Sequence, residues 1–185
     1  MIRNVGAFVP PHGGFIDAPP TLAGHGVKPE ASQRWVGYHG TAAAIEYAAL
    51  VLVLGVERIV VCGHSHCGGI RALYEETPAQ AVHLGAWLEL GREATLPAQV
   101  TPEALKRTEQ RSVVLQLERL MGYPMVRERV EADRLALHGW HYVIEDGEVH
   151  VFDVRRGSFV PASQAEHSGT GAFDHAPVQD GSNII

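Results

Sequence analysis

A chain of 185 residues with 45% hydrophobic and 19% charged residues has the make-up of a soluble globular protein with one core, and is too short for two ordinary domains. Its formal charge is −6, and Arg127, Arg129 and Arg134 are interleaved with Glu128, Glu131 and Asp133; this excludes a basic nucleic-acid surface. No apolar run reaches the ~20 residues of a membrane span, and two cysteines behind a start without a leader pattern fit a reducing compartment, so the cytoplasm is the expected location.

Phe8-Val9-Pro10-Pro11 is expected to close a first strand that begins near Arg3, because proline cannot donate to a ladder. Residues 12–39, rich in glycine and proline, read as a long surface connection, with His12, His25 and His39 as exposed loop residues. Thr41 is placed to cap a core helix that runs to about Leu54 and stops at Gly55. Glu57-Arg58-Ile59-Val60-Val61-Cys62 then reads as a short buried strand, followed by the glycine turn Gly63-His64-Ser65-His66-Cys67-Gly68-Gly69.

That turn is the most informative stretch. Zinc takes imidazole nitrogen and thiolate sulfur in tetrahedral geometry, so His64 and Cys67, three apart across a turn, form half of a zinc site. The next helix, opening at Gly68, is expected to bring its amide groups and dipole near a Cys67 thiolate. Cys62 reads as a core cysteine, with the alternative that it shares a face with His64 and serves as a further ligand. His66 reads as a surface histidine, with a proton shuttle as its functional alternative.

Helices are expected at about 81–92 and 102–121. Glu109 on the second of these reads as a structural partner without an assigned role. A helix from Pro124 to Arg134 leads to a strand over 135–144, which turns at Asp146-Gly147 into Val149-His150-Val151-Phe152. His138 and His141, three apart on a strand, should point to opposite faces and not share a metal. The grammar is that of an α/β fold with a parallel sheet flanked by helices and a site at the carboxyl end of a strand. After Pro161 the sequence turns small and polar, so one domain over 1–161 and a disordered tail over 162–185, with exposed His167 and His175, are expected.

Four segments taken together, Arg3-Asn4-Val5-Gly6-Ala7-Phe8-Val9, Gly40-Thr41-Ala42-Ala43-Ala44-Ile45-Glu46, the His64/Cys67 turn and Leu137-His138-Gly139-Trp140-His141-Tyr142, resemble the β-class carbonic anhydrases in order and spacing. The resemblance covers about residues 1–161. It implies a zinc enzyme for the reversible hydration of carbon dioxide to bicarbonate, a homodimer or higher homo-oligomer, and His64 and Cys67 as zinc ligands. Hydrolysis of carbon disulfide or carbonyl sulfide is a near alternative, since those substrates are equally linear.

The family's Cys-x-Asp-x-Arg strand, which supplies the third ligand and an aspartate/arginine pair beside the metal, has no counterpart here. No catalytic residue is therefore assigned, and the first central strand of the sheet is expected to be missing. A start in mid-strand, with no helix, cap or turn signal in front, is expected of a segment of a longer reading frame. A truncated homologue, acting as a non-catalytic binding or regulatory subunit, is the rival expectation.

Overall fold

The computed structural model describes residues 1–13, 40–50, 55–97 and 99–165. Among them a four-stranded sheet runs in the order β1 (Arg58–His64), β2 (Ala136–Val143), β3 (Glu148–Asp153), β4 (Ser158–Pro161). β1 and β2 are parallel, from Arg58 opposite Ala136 to His64 opposite Tyr142, whereas β2, β3 and β4 follow one another antiparallel. The expected parallel sheet is thus confined to one pair of strands and the sheet is mixed. The two reversals fall at Gly147 and Gly157, with φ of 65° and 63°, a region that glycine enters without a Cβ clash.

The helices of this α/β fold are α1 (Gly40–Leu50), α2 (Gly68–Arg71), α3 (Val82–Leu88), α4 (Pro102–Met121) and α5 (Pro124–Glu131). α4 is the scaffold. Thr101 caps it by accepting the Ala104 N–H at 3.2 Å, and Pro102 stands in the first turn, where a missing N–H costs nothing. Its buried positions, from Ala104 through Thr108, Ser112, Val113 and Gln116 to Leu120, recur at helical spacing. They meet Val61 of β1 and Leu137 of β2, with Ile45 and Ala49 of α1 and Val126 of α5 completing the main core. Phe8, Ile70, Leu73 and Leu88 form a second cluster. The sheet comes close to α4 because Gly63 carries no side chain: a Cβ there would lie 2.8 Å from Val113 Cγ2. None of the described helices is long and apolar enough to cross a membrane.

Several expectations are corrected. Residues 3–9 form no strand, because the chain turns at Val5–Ala7 with Gly6 at φ 73° and Ala7 at φ 52°, and left-handed residues cannot continue a ladder. Thr41 lies inside α1 rather than capping it, and its hydroxyl accepts from Asn4 Nδ2 at 3.1 Å. The helix expected over 81–92 is α3 followed by a 3-10 segment, Glu89–Ala94. Ala162–Gln164 forms a 3-10 turn after β4 instead of beginning a disordered tail. The rest of the tail, the remainder of the long connection, and His25, His39, His167 and His175 lie outside the described residues. No strand among the described residues pairs with the outer edge of β1, so the strand that ends at His64 is an edge strand there.

Candidate metal centre

The candidate pair stands at and just beyond the carboxyl end of β1. His64 is its last residue, and Cys67 occupies the N-cap of α2 in an extended conformation. Between them His66 sits at φ 57°, a left-handed position that an L side chain occupies only when its surroundings hold it there. Those surroundings are identifiable. The Ser65 N–H donates to the Tyr142 carbonyl at 2.9 Å, the Ser65 hydroxyl donates to Glu145 Oε2 at 2.8 Å, and the Ile144 N–H donates to that hydroxyl at 2.9 Å. His66 Nε2 pairs with Glu145 Oε1. The Cys67 N–H donates to Glu109 Oε1 at 3.0 Å. Glu145, anchored by its own backbone N–H, the Ser65 hydroxyl and His66, has its carboxyl pKa pulled down to about 2.

His64 Nδ1 donates to the Ser65 carbonyl oxygen at 2.8 Å. In the neutral ring this bond fixes the proton on Nδ1 and leaves the Nε2 lone pair free, the tautomer a metal ligand needs. Cys67 is buried. Both residues line one cleft of about 790 Å³, bounded by Met1–Asn4 on one side, β1 on the other and α4 behind. The cleft is far larger than carbon dioxide requires.

The donors fit zinc in kind and fall short in number. His64 and Cys67 supply the nitrogen and sulfur that zinc prefers, yet among the described residues no group of three or more His, Cys, Asp or Glu side chains is gathered to hold a metal ion. Cys62 lines the same cleft without completing such a group. It is exposed rather than a core cysteine, because it lies on the edge strand. The helix after Cys67 is a single turn of four residues, too short for the macrodipole expected to act on the thiol. His138 and His141 lie on opposite faces of β2, as expected, and His141 instead meets Glu109: its Nε2 lies 3.0 Å from Oε2. Reasoning from sequence missed this contact, although a carboxylate on the buried stripe of α4 was the signal for it.

The carbonic anhydrase family model matches residues 1–149. This chain belongs to the β-class carbonic anhydrase family. The carbonic anhydrase of Pseudomonas aeruginosa is 35% identical, over 97% of this chain and 72% of that protein. Carbonic anhydrase 1 of Escherichia coli O157:H7 is 33% identical, over 86% of this chain and 65% of that protein. The solved structure of the β-carbonic anhydrase CcaA superposes with a TM-score of 0.68 at 28% identity, covering 86% of this chain and 65% of that one. The match to these relatives thus spans about two thirds of their own length. Within this carbonic anhydrase fold the cleft lies where α/β proteins place their sites, at the carboxyl end of a parallel strand.

Proposed function

We propose that the cleft serves the zinc-dependent, reversible hydration of carbon dioxide to bicarbonate and a proton, with His64 and Cys67 as two of the protein ligands and the remaining donor coming from outside the described residues. The observation that carries this reading is the His64 tautomer, locked by Ser65, in one cleft with a buried Cys67, in a chain of this family. Zinc, when bound, supplies the acidity that brings a water pKa from 15.7 to about 7, a value known from the three-histidine carbonic anhydrases. The chain's own residues do the rest. The Ser65 carbonyl orients the His64 ring, and Val60, Ile70 and Val113 give the cleft apolar walls suited to a small substrate without a net dipole. A homodimer or higher homo-oligomer is part of the proposal, supported by the tetrameric β-carbonic anhydrases of Sordaria macrospora. So is a cytoplasmic location, supported by two free thiols.

The test is stopped-flow carbon dioxide hydration together with metal analysis of the chain purified with zinc. Turnover above buffer is expected, and His64→Ala and Cys67→Ala should each lose zinc and turnover together. Full zinc and full turnover in either variant would refute the assignment. The shortage of donors among the described residues favours a second reading, a non-catalytic homologue that binds or regulates a partner. Absence of both zinc and turnover in the unaltered chain supports it.

A further inference from the structure

Glu109 and His141 stand deep in the protein. Glu109 is 4% exposed and His141 is 0% exposed, yet Glu109 also lines the cleft that holds His64 and Cys67. A carboxylate in such a place is expensive unless its oxygens are used. One oxygen accepts the Cys67 N–H at 3.0 Å and the other faces His141 Nε2 at 3.0 Å. The geometry is that of His141 Nε2–H donating to the carboxylate Oε2. Among the described residues His141 Nδ1 is buried with no hydrogen-bond partner, so the contact with Glu109 is the one hydrogen bond the ring makes there. The imidazole is thereby committed to orienting Glu109.

The position of that carboxylate matters because of the turn it grips. The left-handed His66 is clamped on its N-terminal side by the Ser65 N–H to Tyr142 bond, and on its C-terminal side by the Cys67 N–H to Glu109 bond. Without the second clamp the peptide between His66 and Cys67 can relax to an unstrained φ and carry the Cys67 side chain with it.

We propose that Glu109 is a positioning residue for the His64/Cys67 pair, holding the Cys67 backbone in its strained turn, and that His141 acts on the pair through Glu109. This rests on the reading of His64 and Cys67 as metal ligands.

The experiment uses the full chain in a Cys62→Ser background, so that Cys67 is the one thiol, with Glu109→Ala, Glu109→Gln and His141→Phe variants. In metal-free protein, Cys67 amide exchange and the rate of Cys67 alkylation are measured, with the amides of Leu120 and Leu137 as controls. Glu109→Ala should accelerate both at Cys67 by about tenfold to a hundredfold, the factor a hydrogen bond to a charged acceptor is worth. Glu109→Gln keeps an oxygen for the amide and should restore most of the protection, and His141→Phe should fall between. An unchanged Cys67 in Glu109→Ala, or no rescue by glutamine, overturns the proposal; an unchanged Cys67 in His141→Phe overturns the part given to His141. Should Glu109→Ala fail to fold, the comparison of Glu109→Gln with His141→Phe decides: the amide must stay protected in the first and loosen in the second. Zinc affinity, read by competition with a chromophoric chelator, separates the two levels. If His64→Ala binds zinc as well as the parent chain, the ligand reading fails, while the metal-free measurements still judge Glu109. If His64→Ala weakens binding and Glu109→Ala does not, the positioning role alone fails.

Discussion

Gly63→Ala probes the spacing on which the candidate site depends. The added methyl would lie 2.8 Å from Val113 Cγ2, about 1 Å inside ordinary carbon–carbon contact. Val113 is 2% exposed on α4, so it cannot swing into solvent. Overpacking of this kind costs ~1–3 kcal/mol, and the smaller unfolded-state entropy of alanine offsets ~0.5–1 kcal/mol. A net loss of about 1–2 kcal/mol follows, or ~3–6 °C in Tm for a chain of this size. Val113→Ala alone should cost roughly 2 kcal/mol for two buried methyls and the space they leave. In the double variant the new methyl fills that space, so the two losses should not add, and a coupling of about 1–2 kcal/mol is expected. Urea unfolding followed by circular dichroism measures all four proteins, with an unchanged slope required for comparison. Costs that add to within about 0.5 kcal/mol would refute the contact. Because the same methyl pushes α4 away from β1, the zinc binding proposed for this cleft should weaken in Gly63→Ala and recover in the double variant.

Tyr123 donates its hydroxyl to the Pro10 carbonyl at 2.7 Å, and burial, followed by the charge of Glu46, pushes its pKa up to about 12. Its contribution is complete below about pH 10 and disappears as pH rises towards 12, because the unfolded phenol ionises first. Tyr123→Phe should cost ~1–2 kcal/mol at neutral pH, and the parent-minus-variant ultraviolet titration should show the late phenol; a midpoint near 10 would contradict the buried bond. Glu145 behaves in the opposite sense. With its pKa lowered to about 2, its contribution is present above the ordinary carboxylate range and is lost as pH falls towards 2. Carboxyl-carbon NMR should find it ionised at pH 3, and Glu145→Gln should loosen the Ser65 and His66 turn; a midpoint near 4.5 would refute the anchoring.

Much of this fold was legible in the chain. α4 could be read from Pro102 and the spacing of Val113, Gln116 and Leu120, and the β2–β3 reversal from Asp146-Gly147, because both rest on local backbone preferences. The turn that follows β1 was legible for a similar reason, and the structure sets His64 and Cys67 of that turn along one cleft. What could not be read depends on distant partners. Arg3–Val9 looked like a strand, but an extended segment becomes a strand only beside a ladder, and Gly6 and Ala7 turn the chain instead. Cys62 looked like a core residue because its neighbours are apolar, yet it lies on an edge strand. The Glu109–His141 contact joins residues 32 positions apart. A buried carboxylate announces that it needs a partner without saying which one.

The long-range anchors of the His64–Cys67 turn described above lie far downstream of it. Cys67 waits for Glu109, 42 residues on, and Ser65 waits for Ile144 and Glu145, 79 and 80 residues on. β1 itself finds β2 only after the chain has passed through α2, α3, α4 and α5. Loop-closure entropy must be overcome before such contacts give anything back, so this part of the molecule is expected to order late and slowly. During synthesis His64 and Cys67 emerge well before these partners, so the shape of their turn is expected to be fixed only when the crossover is complete. If the zinc site proposed above forms, its spacing is then an outcome of folding rather than its template, and refolding with zinc present from the start should proceed no faster than refolding without it.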